Sequence, residues 1–190
     1  PNAQTSYQCI IAHDNQDFLF GNLKLRSLHT PGHTMESTSY LLISHADKSE
    51  AIFTGDTLFI GEVGRPDLAV NPQVTREDLA SYLYDSLHNV IMNLEDDVIV
   101  YPGHGAGSAC GKNISSQKYS TIGEQKKYNY ALQPMSKSDF TKIVLADLEE
   151  APQYFMHDVA MNKEGYQSVE KVLKNSLNKL THETVLSHMN

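Results

Sequence analysis

The amino-acid sequence predicts a mixed α/β chain in which helices pack on a sheet. Three observations lead there. Short apolar and β-branched runs of strand length fill the first half of the 190 residues. After Thr75 the apolar spacing changes to a helical one. The order of elements (strands, a helix, a strand, then helices) calls for two packed layers of sheet and helix.

The elements follow in sequence. "YQCIIAH", "LKLRSLH", "TSYLLIS" and "AIFTG" read as strands, punctuated by Gly21, the Pro31-Gly32 pair, the polar "HADKSE" and Gly55. In "NPQVTREDLASYLYDSLHNVIMN", Leu79, Leu83, Leu87, Val90 and Ile91 fall on one helical face, with Thr75 as N-cap. "DDVIVYPGHG" is a buried strand that stops at Pro102-Gly103. "STIGEQKKYNYAL" and "SKSDFTKIVLADLEE" are two helices separated by Pro134, and Ser136 with Asp139 resembles a capping box. A last helix, "SVEKVLKNSLNKL", puts Val169, Val172, Leu173 and Leu177 on one stripe. No internal repeat interrupts the series.

Composition narrows the function classes. No apolar run approaches the roughly 20 residues needed to cross a bilayer. A net charge of -8 argues against nucleic acid, which would select a basic face. Cys9 and Cys110 are too few for a disulfide framework, so reduced thiols in a cytoplasmic protein are expected. The opening "PNAQTSYQ" carries no initiator Met and no presequence pattern, and the expectation is that the chain is part of a longer protein.

Three short stretches carry the chemistry. "TPGHT", "TGDTL" and "YPGHG" each follow an apolar strand and end it with a metal-type side chain directly after a glycine: His33, Asp56 and His104. A lone loop histidine is more often a solvated residue, and a lone Gly-Asp a turn. Three such sites after three strands bring imidazole, carboxylate and imidazole to one rim of a sheet, a donor set suited to zinc or iron(II). His29 cannot share a helical face with His33, because Pro31 and Gly32 lie between them, and it reads as an orienting or packing residue. His13, His45, His88, His157, His182 and His188 lack this context and read as surface or structural.

"HTPGHT", "IFTGDTLF" and "VIVYPGHG" resemble, in order and spacing, the motifs of the metallo-β-lactamase superfamily. The resemblance covers about residues 29–111 and extends toward the helices that follow. It implies an αββα sandwich with the metal site at the sheet edges, of which residues 1–165 would be the C-terminal part. Residues 166–190 would be a terminal helix or a linker toward a rhodanese module. The family's upstream H-x-H-x-D-H motif is not in this sequence, so the metal site is expected to be incomplete in this chain alone.

"GDTLFIGEVGRPDL" resembles the persulfide dioxygenase branch, where Gly-Arg-x-Asp follows the aspartate. "YPGHGAGSACGK" with "STIGEQKKYN" looks like the dioxygenases fused to rhodanese domains, although no rhodanese loop occurs in this chain. The resemblance implies one iron(II) per complete site, with zinc as the alternative. His33 and Asp56 would be two ligands and an upstream histidine the third. His104 would bind a second metal in a binuclear enzyme, or hydrogen-bond and orient a mononuclear site. The partners implied are a small thiol persulfide and O₂, the products sulfite and thiol, and a homo-oligomer is expected.

Arg65 would contact a carboxylate on the thiol carrier, or pair structurally with Asp67 or Glu62. Gly105, Gly107 and Ser108 would offer backbone donors, with Lys112, and less so Lys126 and Tyr128, on the same wall. Cys110 reads either as a thiolate, favoured by Lys112, that exchanges sulfur with the substrate, or as a small residue fitted to a tight loop. The other readings are a glyoxalase-II-like thioester hydrolase with two metals, and a non-catalytic or thiol-sensing scaffold.

Overall fold

A computed structural model describes residues 5–148, 150, 154–177 and 187. Six strands, β1 (Asp17–Phe20), β2 (Leu23–His29), β3 (Thr38–Ile43), β4 (Ser49–Gly55), β5 (Ile99–Pro102) and β6 (Ser120–Thr121), form one sheet in sequence order. All neighbours are antiparallel except β4 and β5, which are parallel. The chain between those two contains α1 (Arg76–Asn89), as a parallel pair requires a crossover. β2, β4 and β5 therefore run the same way, and their C-terminal ends share one rim. Those are the ends that precede His33, Asp56 and His104.

The helices start where the sequence signals them. Thr75 caps α1 by accepting from the Asp78 N–H, while the Asp78 carboxylate accepts from the Thr75 N–H, so two orphan donors are satisfied. Ser136 caps α3 (Lys137–Leu145), accepting from the Asp139 N–H. Thr121 caps α2 (Ile122–Tyr128). Leu79, Leu83, Leu87 and Ile91 are fully buried, and Val90 packs beside them. They meet Leu28, Leu41, Ile52 and Val100 from the sheet, Val98 just before β5, and Ile122, Leu132, Phe140 and Val144 from the later segments, in one cluster. Truncating one such leucine to alanine costs about 2–5 kcal/mol.

The opposite face of the sheet has a different character. Phe18, Leu25, Leu42, Ala51 and Ile99 stand in one cross-strand row, and Ser27, Tyr40, Phe53 and Tyr101 in the next. None of these is charged. Tyr40, Phe53 and Tyr101 are exposed, and the Phe53 and Tyr101 rings stack with centroids 5.5 Å apart. A sheet face meant for water would alternate to polar residues. This one is patterned to lie under another layer, as the inner sheet of a sandwich does.

Two expectations from the sequence fail. Residues 7–13 form no strand: Ile10 and Ile11 are exposed, and the first strand is instead "DFLF", β1, which pairs with β2. Ser120 and Thr121 extend the sheet before α2 begins, because their backbone completes a ladder with β5. One helix, α4 (Tyr154–Glu164), was not expected, since its apolar residues spread around the axis rather than form a stripe.

The chain divides into two compact units, Ile10–Phe155 and the described residues of Gln4–Cys9 with Met156–Asn190. In the second, the Ser6 N–H donates to Lys163 O at 2.9 Å and the Tyr7 hydroxyl to Asn162 O at 2.9 Å. α5 (Val169–Ser176) carries the expected stripe, with Val169, Val172, Leu173 and Leu177 exposed. The last residues of the expected helix, 178–180, lie outside the described residues. Among the described residues no helix is long and apolar enough to cross a membrane.

Candidate metal centre

Three turns at the common rim bring the chemistry together. Gly55 ends β4 with φ +52°, a left-handed conformation natural to glycine, and turns Asp56 out of the strand direction. The Gly103 N–H donates to Gly55 O at 2.8 Å, which ties the ends of β4 and β5 and carries His104 next to Asp56. A Cβ on Gly103 would lie 2.7 Å from Asp56 Oδ1, so the close approach excludes any side chain there. The His33 turn sits on α1, where Ser86 Oγ donates to Pro31 O at 2.7 Å.

Asp56 is the hub. Its Oδ2 lies 3.2 Å from His33 Nε2 and its Oδ1 lies 2.9 Å from His104 Nδ1. The His33 side chain is 11% exposed, that of Asp56 19% and that of His104 44%. One donor atom each of His33, Asp56 and Cys110 lies within 4.8 Å of the others.

His33 has a defined tautomer. Its Nδ1–H donates to Arg65 O at 2.8 Å, which leaves Nε2 with a lone pair on the Asp56 side. Burial pushes this imidazole below its ordinary value, opposed in part by Asp56, and so favours the neutral form that a cation needs. A buried layer of hydroxyls fixes the backbone beneath. Thr30 Oγ1 is 3.0 Å from Ser39 Oγ and 2.9 Å from Thr57 Oγ1, which joins the end of β2 to β3 and to the residue after Asp56.

These donors fit a metal ion. Two imidazoles flank one carboxylate, one of them held toward neutrality, so the carboxylate lacks a full cationic partner in that pair. Imidazole, carboxylate and thiol together form a borderline-soft set suited to zinc or iron. His33, Asp56 and His104 all reach the rim, as the motif spacing implies. His29 turns away: its Nε2 lies 2.8 Å from Met35 O, a structural contact.

The other singled-out residues divide. Arg65 is 5% exposed and grips Asp67 with two bonds of 2.7 Å, Nε to Oδ1 and Nη2 to Oδ2. Of its two sequence readings this is the ion-pair geometry. Arg65, Gly107, Ser108 and Lys112 line a cavity of about 1030 Å³, together with Glu62 and Tyr130. Gly105 accepts from the Ser108 N–H at 3.3 Å, so that donor is already used. Lys112 Nζ donates to Ile143 O at 2.9 Å. Lys126 is engaged by Asp96 at 2.7 Å and Leu94 O at 3.0 Å, and Tyr128 is exposed.

The expectation of an exposed Cys110 thiolate promoted by Lys112 is corrected. Cys110 is partly buried, and burial pushes its thiol up, with Asp56 adding to the rise against a lowering contact from Ser108.

Glu62, named from the sequence only as a possible partner of Arg65, is instead bound by other groups, while Arg65 pairs with Asp67. The Glu62 carboxylate is 3% exposed and accepts from Val63 N–H at 2.9 Å, Asn113 N–H at 3.2 Å and the Tyr130 hydroxyl at 2.7 Å. Burial and Glu62 together push the Tyr130 phenol far above its ordinary value.

No protein-family model matches the chain. The probable hydroxyacylglutathione hydrolase glo2 of Schizosaccharomyces pombe is 30% identical over 136 residues, 61% of this chain and 49% of that protein. The mitochondrial persulfide dioxygenase ETHE1 of Homo sapiens is 30% identical over 131 residues, 69% of this chain and 44% of that protein. A solved metallo-beta-lactamase from Staphylococcus aureus subsp. aureus COL aligns with a TM-score of 0.75 at 33% identity, covering 83% of this chain and 45% of that one. ETHE1 from Myxococcus xanthus aligns with a TM-score of 0.68 at 29% identity, covering 86% and 63%. The chain spans about half or less of the length of the curated relatives it matches. In fold it matches solved metallo-beta-lactamase-fold proteins, and in sequence it is similar to members of that superfamily. Its relatives there include hydrolases and a dioxygenase.

Proposed function

We propose that this chain supplies the C-terminal part of the active centre of a persulfide dioxygenase, which oxidises a low-molecular-weight thiol persulfide to sulfite and thiol with O₂. The observation that carries the reading is the Gly64-Arg65-Pro66-Asp67 segment after Asp56. Its side chains form a partly buried bidentate pair and its backbone holds His33. The likeness to Myxococcus xanthus ETHE1 along 86% of the chain supports it.

One iron(II) would be held by His33, Asp56 and a histidine of an upstream H-x-H-x-D-H motif, and would supply the one-electron chemistry that O₂ requires. The chain's own residues do the rest. Arg65 O keeps His33 in the tautomer that presents Nε2. His104, with Nδ1 2.9 Å from Oδ1, orients the Asp56 carboxylate and leaves Oδ2 toward His33. The cavity lined by Arg65, Gly107, Ser108 and Lys112 is large enough for a thiol carrier.

The test uses a polypeptide with the H-x-H-x-D-H motif joined upstream. One iron per chain, with O₂ uptake and sulfite release from glutathione persulfide, supports the reading. A second reading has its own observation. Asp56 meets one imidazole with each carboxylate oxygen, at 3.2 and 2.9 Å, as a carboxylate bridging two cations would. That is the glyoxalase-II-like hydrolase. Two metals per chain, thioester cleavage and no O₂ uptake would establish it instead.

A further inference from the structure

We propose that Cys110 is a direct metal ligand, and that His33, Asp56 and Cys110 form a three-donor site that binds a zinc-class dication in this chain without any upstream histidine. The donor atoms of the three residues lie within 4.8 Å of one another. Ligands around a tetrahedral ion at about 2.0–2.3 Å stand roughly 3.3–3.8 Å apart, so small side-chain rotations close the set. The His33–Asp56 edge, at 3.2 Å, is already at that spacing.

The site is built rather than incidental. One residue's main chain holds both outer ligands. The Arg65 N–H donates to Cys110 O at 2.9 Å, and Arg65 O accepts from His33 Nδ1–H at 2.8 Å. The Cys110 N–H in turn donates to Ser108 Oγ at 3.2 Å. With both backbone groups of Cys110 engaged, its side chain has a fixed origin on the Asp56 side. The Arg65 backbone is steadied by the bidentate pair with Asp67. Thiolate, imidazole and carboxylate in a three-ligand set match a zinc site that keeps its fourth position open. On binding, the S–H bond breaks, its proton leaves to the buffer, and the sulfur electron pair goes to the cation.

The inference is independent of the dioxygenase reading, because it concerns ligation and not turnover. The 190-residue chain carrying Cys9→Ala is titrated with Co²⁺ and then with Zn²⁺. The expected result is one Co²⁺ per chain with the absorption of a cobalt–thiolate bond. Adding Cys110→Ala abolishes that absorption and weakens Zn²⁺ binding at least about tenfold, no less than the loss usual for groups that merely support a ligand. Circular dichroism and the melting midpoint establish that the variant is folded. If it is not, the spectrum of the parent still decides. Cobalt bound without thiolate absorption, no cobalt bound at all, or equal zinc affinity with and without the Cys110 sulfur overturns the proposal.

Discussion

Gly64→Ala is the most demanding test of how the rim is assembled. Gly64 is buried between the Asp56 turn and the His33 ring, and a Cβ there would lie 1.8 Å from Asp56 O, 3.0 Å from Asp56 C and 3.2 Å from His33 Nδ1. The two nearest atoms are backbone, so no side chain can swing away. An ordinary carbon–oxygen contact needs roughly 1.5 Å more, and the strain sits at the upper end of the overpacking range, about 3 kcal/mol. For a chain of this length that lowers the melting midpoint by about 6–12 °C. Relief comes by moving Asp56 away from His33, so zinc or cobalt affinity falls as well. Gly105→Ala is the control, because nothing lies within 4 Å of its Cβ position. It stays within about 0.5 kcal/mol of the parent, as surface changes do. Thermal unfolding by circular dichroism and a cobalt titration are read on both variants. A Gly64→Ala protein that melts with the parent and binds cobalt equally well would refute the geometry.

Three further expectations follow from named contacts. Arg65→Lys keeps a charge but loses the bidentate fork on Asp67, so thermal unfolding should show a loss of about 1.5–3 kcal/mol, the range for hydrogen bonds to charged groups; an unchanged midpoint with a raised KM in the complete enzyme would return the side chain to the substrate. Burial holds His88 below its ordinary value of 6.5 while its Nε2 faces Ala131 O at 3.2 Å. The unfolded chain therefore binds more protons between the two values, stability declines as pH falls below about 6.5, and the decline ends once the folded value is passed. His88→Gln should flatten that limb of a melting-midpoint-against-pH curve without abolishing it, because His33 is shifted the same way, and an unaltered limb would exclude His88 as a source. Phe53→Ser, on the uncharged sheet face opposite the core, should reduce the binding of a hydrophobic dye and any concentration-dependent sedimentation, at little cost in melting midpoint.

Much of this was legible in the sequence because it rests on local chemistry. Thr75 and Ser136 announce their helices through their own hydroxyls. The spacing of Leu79, Leu83 and Leu87 fixes which face of α1 is buried. The three glycine-led turns could be found because each ends an apolar strand. What stayed hidden depends on partners remote in sequence. "DFLF" becomes a strand because Leu23–Arg26 lie beside it, whereas the equally apolar "YQCIIAH" finds no ladder. Glu62 is an unremarkable acid until Asn113 and Tyr130 close over it. Cys110 drew notice as a thiol in a glycine-rich loop, but its position beside Asp56 is set by Arg65, 45 residues earlier in the numbering of the same chain.

Arg65 shows why residue type alone misled. Its guanidinium invites a reading as an anion receptor, yet that group is folded onto Asp67 at 5% exposure. The contacts that bear on the metal centre are made by its main chain, whose N–H reaches Cys110 and whose carbonyl reaches His33. A backbone can hold two loops in register only if it is itself held, and the ion pair two residues apart does that by stiffening the turn through Pro66. Gly64 completes the device by letting the turn lie against Asp56. Gly-Arg-Pro-Asp is then one mechanical unit: glycine for close approach, proline for a fixed φ, and the charged pair to clamp the ends. The side chains proposed to hold an ion come from elsewhere, and this unit sets the distances between them.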